Sequence, residues 1–297
     1  MSAPAIVADG SNTWIQLRPG TPEDAAACGR ICYQAFSAIA GRHGFPPEVP
    51  SDEMAIGLLT LFLSHPGFYS VVAERDGEVV GSNFLDERTP IAAAGPVTVS
   101  PDAQNSGLGR RLMRDVLERA SARGCAGVRL LTAAHHGRSL ALYASLGFEV
   151  REPIACMQGP PTRGEIADRR VRPVVEADVD ACNRLCKRVL GHDRGGELAD
   201  AIGQGTAVLV ERGGRIGGYA TAMAFFGHAV GETTDDVKAL IATAPAFEGL
   251  GILVPVRNGE LFRWCLQSGL RVVQMMVLMS TGTYRDPAGA YLPSIMQ

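Results

Sequence analysis

Val97-Thr98-Val99-Ser100-Pro101-Asp102-Ala103-Gln104-Asn105-Ser106-Gly107-Leu108-Gly109-Arg110-Arg111-Leu112 passes from strand to glycine loop to helix. Val97 and Val99 alternate with Thr98 and Ser100, a short strand signal. From Leu108 the apolar residues Leu112, Val116, Leu117 and Ala120 recur at helical spacing, with Arg and Glu between them as a solvated face. Gly124 supplies the stop. A helix N-terminus carries unpaired N–H groups and partial positive charge. Glycines at 107 and 109 let the backbone turn sharply there, and Arg110 and Arg111 add charge. The turn is therefore expected to hold an anion, and a diphosphate suits it. It is not a Walker loop, because no Gly-Lys-Ser/Thr follows. It is not a dinucleotide fingerprint, because the third glycine and the distal acid are missing.

The chain of 297 residues is 46% hydrophobic and 20% charged, enough for one large or two ordinary cores. A formal net charge of −3 argues against nucleic acid as the main partner. No run of 18 apolar residues suggests a membrane span. Residues 1–13 lack a signal-peptide pattern and read as a flexible tail, so a cytoplasmic protein is expected. The seven scattered cysteines read as reduced, mostly buried thiols.

Taken in order, the chain repeats itself. Ile15 to Pro19 reads as a strand. Thr21-Pro22-Glu23-Asp24 reads as a helix start, with Thr as cap and Pro at the first helical position. The helix is expected to run through Phe36, and Gly41 to Pro50 to form a loop. Leu17-Arg18-Pro19 matches Val171-Arg172-Pro173. Cys28 and Cys32 match Cys182 and Cys186. Val71 to Gly77, with its Asp76-Gly77 hairpin turn, matches Val208 to Gly214. The pattern predicts a duplicated α/β domain: 14–156, a linker at 157–168, and a second copy at 169–297. Each Cys pair shares a helix face, yet no further Cys/His pair lies near, so small apolar filler is the reading and no metal is expected.

Gln104-x-x-Gly107-x-Gly109 resembles the acyl-CoA loop of the GNAT N-acetyltransferase family. Arg138-Ser139-Leu140-Ala141-Leu142-Tyr143-Ala144-Ser145-Leu146-Gly147-Phe148 resembles the family's second signature, a helix then strand ending Leu-Tyr-x-x-Leu-Gly-Phe. The resemblance implies an α/β fold of two tandem GNAT-like domains. Each would be a mostly antiparallel twisted sheet flanked by helices, with a splayed parallel strand pair. It also implies a bulge in the strand that contains Pro96, where a proline otherwise argues against a strand.

For function the resemblance implies acetyl-CoA as co-substrate and direct transfer to an amine in a ternary complex. Val97, Thr98 and Val99 would pair with the pantetheine arm. The N–H groups of Gln104, Asn105, Ser106, Gly107, Leu108, Gly109 and Arg110 would hold the pyrophosphate, with Arg111 adjoining. A backbone N–H near Val99 would stabilise the oxyanion. Tyr143 would protonate the departing thiolate, with Ser139 on the same helix face. Where the family often has Asn, seven residues before the Tyr, this chain has His136.

The acceptor side is read from the residues alone. Asp86 and Glu87 are candidate bases, with His43 and the Gln297 carboxylate as others. Phe45 and Phe68, with His43, are candidate liners of an amine pocket. The second copy has Gly231-Glu232-Thr233-Thr234-Asp235-Asp236 at the loop position and Cys265 at the Tyr143 position, and acids there would repel a diphosphate. It would wall the substrate cleft or make a homodimer. The expectation is an acetyl-CoA-dependent N-acetyltransferase acting on a small-molecule amine, with no nucleic acid, membrane or metal partner. The alternative is a non-catalytic acyl-CoA sensor or regulatory module.

Overall fold

The computed structural model describes residues 7–8, 14–162 and 164–296. Most of the tail expected at 1–13, and the Gln297 carboxylate, lie outside the described residues. The chain divides into two compact units. One comprises Met1–Glu87 with Ala92–Val128, the other Arg88–Ile91 with Arg129–Gln297.

In the first unit, β1 (Val7–Ala8) pairs antiparallel with β2 (Trp14–Pro19). A 3-10 turn at Pro22–Asp24 leads into α1 (Ala25–His43). That helix runs seven residues past the Phe36 expected from sequence, because its apolar face continues and no glycine turns it until Gly44. Then come α2 (Asp52–Ser64), β3 (Phe68–Arg75), β4 (Glu78–Asp86), β5 (Ile91–Ala94), β6 (Thr98–Val99) and α3 (Leu108–Ala122). The sheet runs β1-β2-β3-β4-β5 with antiparallel registers, and β6 joins β4 beyond β5. Helices α1 and α2 touch backbone to backbone at Gly29, where a Cβ would lie 2.6 Å from the Ile56 Cα.

The second unit holds β7 (Gly127–Ala133, counted from Arg129), α4 (Gly137–Ala144), β8 (Glu149–Gln158), β9 (Arg170–Pro173), α5 (Val179–Leu190) and α6 (Gly195–Gln204). It continues with β10 (Val208–Arg212), β11 (Arg215–Ala220), β12 (Ala229–Gly231), α7 (Thr234–Ala242), β13 (Ile252–Pro255), α8 (Gly259–Gln267), β14 (Arg271–Gly282) and β15 (Ala290–Leu292). One run of strands is β15-β12-β11-β10-β9, all antiparallel, and the other is β7-β14-β8-β13.

Strand β8 runs across residue 156, where the first domain was expected to give way to a linker at 157–168. It reaches Gln158, flanked by β14 on one edge and β13 on the other. Ile154, Ala155, Cys156 and Met157 are wholly buried there, facing Met275, Met276, Leu253 and Val254. Apolar burial on both faces, at roughly 25 cal/mol per Å², draws the strand into the sheet. The first compact unit closes at Val128.

The internal match appears in side-chain detail. In the first unit Arg18 spreads its fork onto Asp24 at 2.8 Å twice, and its Nε donates to Glu74 at 2.8 Å. In the second, Arg172 does the same to Asp178 at 2.6 and 2.9 Å and to Glu211 at 2.9 Å. In both, the Asp also accepts a backbone N–H at the helix start, from Thr21 or Val175. The Arg18 hydrogen bonds hold the Asp24 carboxyl below the ordinary range, and those of Arg172 do so for Asp178.

Candidate active site

The strand before the loop is broken where Pro96 sits. Leu85 pairs with Ala94 and Ser82 with Thr98, so three steps on β4 face four on this strand. That one-residue excess is the bulge expected from the resemblance, with a cis peptide at Gly95-Pro96. β6 pairs with β4 along one edge, and no strand pairs with its other edge among the described residues. Ser82 and Thr98 meet hydroxyl to hydroxyl at 3.2 Å in a fully buried contact.

The loop is tied down by its own polar groups. Gln104 Nε2 donates to the Val99 carbonyl at 3.2 Å, and Ser106 Oγ to the Ala103 carbonyl at 2.7 Å. Asn105 and Gly107 are left-handed, with φ of 68° and 83°. Ordinary and left-handed residues thus alternate, the backbone pattern of anion-holding nests. The N–H groups of Asn105, Ser106, Gly107, Leu108 and Gly109 make no hydrogen bond among the described residues. A Cβ on Gly107 would meet open space within 4 Å, so no side chain plugs the turn there.

Two expected contributors are otherwise engaged. The N–H groups of Arg110 and Arg111 already bond the Gly107 carbonyl, at 3.1 and 3.2 Å, as the first turn of α3 closes. The Arg111 guanidinium reaches the Ile15 carbonyl at 2.9 Å and so braces β2. Arg110 is half-buried at the loop.

Glu87 is corrected as a candidate base. Its carboxylate is clamped by Arg119, Nε at 2.6 Å and Nη2 at 3.0 Å, with Arg123 at 3.6 Å. The bidentate guanidinium occupies the lone pairs a base needs. Asp86 is buried at the end of β4, in register with Phe68 and Ala93. Phe68, half-buried, stacks on Phe62 at 4.5 Å and meets His65 edge-on at 5.6 Å. His43 ends α1 and is exposed, and half-buried Phe45 follows it, its N–H bonding the Ala40 carbonyl at 3.0 Å.

Sequence reading missed two supports of the loop helix. Asn83, wholly buried on β4, donates to the Leu112 carbonyl at 3.2 Å and so fixes α3 on the sheet. Its signal was one amide beside the apolar pair Phe84-Leu85 of that strand. Tyr69 donates to Asp115 at 2.7 Å beneath the Arg119 guanidinium, and burial raises the Asp115 carboxyl above its ordinary value.

Tyr143 and Ser139 belong to the second unit, on α4. Tyr143 is buried at 7% exposure and leans on Phe148, ring centres 6.1 Å apart. Its carbonyl accepts the N–H groups of Leu146 and Phe148, which closes the helix into β8. His136 stands at the cap of α4, its carbonyl accepting from Ser139 and Leu140.

The start of α7, at the position matching the glycine loop, is filled by the protein itself. Asp236, wholly buried, accepts from the Thr233 N–H at 3.0 Å and from Arg169 Nε at 2.6 Å. Glu232 takes Arg188 at 2.9 Å and Arg215 at 2.8 and 2.7 Å. Carboxylates thus sit where a phosphate would have to go. Burial pushes the Cys265 thiol, at the Tyr143 position, up to about 12. Among the described residues, no group of three His, Cys, Asp or Glu could hold a metal ion.

Comparison with known proteins agrees with this geometry. A family model described as the acetyltransferase (GNAT) family matches residues 36–148. No match was found among curated protein sequences. The fold is similar to a putative acetyltransferase from Pyrococcus horikoshii, at 17% identity and a TM-score of 0.72, covering 93% of this chain and 92% of that one. It is also similar to a GCN5-related N-acetyltransferase from Sphaerobacter thermophilus, at 17% identity and a TM-score of 0.57, covering 93% and 98%. The chain carries, over residues 36–148, a domain of the GNAT acetyltransferase family.

Proposed function

We propose that the chain is an acetyl-CoA-dependent N-acetyltransferase whose acceptor is the primary amine of a small molecule. The observation that carries this reading is the run of unbonded N–H groups from Asn105 to Gly109 at the start of α3. A diphosphate suits such a turn, since backbone N–H groups and the helix dipole favour anions together. Arg110 would add the side-chain charge. The edge of β6 at Thr98 and Val99, with Val97 beside it, would receive an amide-bearing arm by strand addition.

Acetyl-CoA, when bound, supplies an acetyl group activated as a thioester. The chain's part is orientation and proton handling. The Tyr143 hydroxyl holds the proton required by the leaving sulfur, and Ser139 lies one helical turn before it. A backbone N–H near Val99 would face the developing oxyanion. Asp86, buried at the end of β4, is kept as a candidate base. The self-filled start of α7 supports a division of labour in which only the first repeat handles the donor. No described helix is long and apolar enough to cross a membrane. The reading needs neither nucleic acid nor metal, and it places the reaction in the cytoplasm.

The test is release of free thiol over a panel of amines. Tyr143→Phe should lower turnover by about 10²-fold or more, with CoA affinity within twofold of the parent. Absence of any CoA affinity would overturn the reading. The engagement of Glu87 favours one second reading, a non-catalytic acyl-CoA sensor. It requires CoA binding by calorimetry with no turnover on any amine.

A further inference from the structure

The second unit contains a buried cation that no protein carboxylate balances. Arg129, on β7, is 7% exposed. Its Nε has no hydrogen-bond partner, and the guanidinium makes no ion pair with any described residue. Buried guanidinium groups ordinarily have a carboxylate, because an unpaired charge costs several kcal/mol to desolvate. The other buried charges nearby face an opposite charge, although Glu152 Oε1 makes no hydrogen bond. Arg194 is clamped on Glu197 at 2.7 and 2.6 Å, and Glu152 faces Arg257 Nε at 2.8 Å and accepts the Tyr291 hydroxyl.

Two more unpartnered polar atoms accompany Arg129. The Tyr284 ring lies under the Arg129 guanidinium at 5.3 Å, and its buried hydroxyl bonds nothing. His192, also 7% exposed, has Nδ1 3.3 Å from the Leu190 carbonyl and leaves Nε2 buried and unbonded. Burial, then the charges of Arg129 and Arg194, lower the His192 pKa to about 3, so the ring is neutral near pH 7. Arg129 and Tyr284 together thus carry one unmatched positive charge and a hydroxyl donor. Several orphaned polar groups in one place are costly unless something satisfies them.

We propose that Arg129 and Tyr284 form a binding site for the carboxylate of a small organic acid. A carboxylate suits the planar fork of an arginine through two parallel hydrogen bonds. Its single charge equals the one unmatched charge, whereas a phosphate dianion would leave the site negative. The site lies wholly in the second unit and does not depend on the acetyltransferase reading.

The experiment is thermal unfolding of the full chain with acetate, L-alanine or inorganic phosphate titrated at constant ionic strength. A carboxylate should raise Tm saturably, by about 3 °C at ten times its Kd. Arg129→Met, which fills the space without charge, should unfold no lower than the parent in ligand-free buffer and lose the saturable rise. Tyr284→Phe should keep the rise with Kd weakened several-fold. Three results would each overturn the assignment: no saturable rise with either carboxylate, an equal rise in Arg129→Met, or a rise with phosphate alone. Arg129→Lys keeps the charge but not the fork, and covers the case in which Arg129→Met fails to fold. It should weaken Kd at least about tenfold.

Discussion

Replacing Gly107 by alanine separates two reasons for a glycine in the donor loop. The residue has φ of 83°, and a Cβ there would meet nothing within 4 Å. Steric exclusion therefore contributes nothing, and the cost is conformational. A left-handed alanine costs about 1–2 kcal/mol, which for a chain of this size lowers Tm by about 2–8 °C. Asparagine tolerates this conformation better, as Asn105 with φ of 68° already shows in the same loop. Gly107→Asn should therefore fall between the parent and Gly107→Ala. The alanine chain can escape the strain by turning residue 107 back, which would misdirect at least one N–H of the run 105–109. One lost charge-assisted hydrogen bond is worth about 1.5–3 kcal/mol, so CoA should bind about ten- to a hundredfold more weakly. Differential scanning calorimetry and titration of CoA measure the two effects. If both variants unfold with the parent and bind CoA equally well, the left-handed turn is not what presents the donors.

Two further perturbations follow from the site. Glu87→Gln should cost about 1 kcal/mol of stability, discounted because the Arg119 side chain is 39% exposed, and should leave the pH profile of turnover unchanged. A lost acidic limb would restore Glu87 as a base. Burial, then the Arg194 charge, lowers the His228 pKa from 6.5 to about 4 in the folded chain. The folded state thus binds fewer protons than the unfolded one. Stability from this group is complete above pH 6.5 and falls as pH drops toward 4, by on the order of 3 kcal/mol. His228→Gln should flatten the slope of stability against pH by about one proton in that window, and denaturant melts across it would show an undiminished slope if the reasoning is wrong.

The sequence exposed what depends on near neighbours along the chain. The helix start at Thr21 to Asp24, the hairpin turn at Asp76-Gly77, the bulge near Pro96 and the glycine loop were all legible, because each is set by residues within a few positions. The Arg18 and Arg172 cages were half legible, since the match of Arg and Glu was visible but not their bonding to Asp24 and Asp178. What was hidden depends on partners far away in sequence. Glu87 reads as a candidate base until Arg119 arrives from α3. The stacking of Phe62 on Phe68 is equally hidden. The reach of β8 to Gln158 cannot be foreseen from its own residues, because its pairing partners lie about a hundred positions downstream. The same holds for Arg129, which in sequence is one polar residue inside an apolar strand.

The interleaving of β8 between β13 and β14 bears on how the chain is made. At the ribosome, the first repeat emerges with β8 bare on both edges. Its permanent neighbours follow only after roughly another hundred residues have been translated, at about 5–20 residues per second. A chaperone or a transient non-native pairing must shelter that strand in the interval, since exposed apolar edges invite aggregation. Cutting the gene between residues 157 and 168 would make the exposure permanent, so the two pieces should be recovered in soluble form only when produced together.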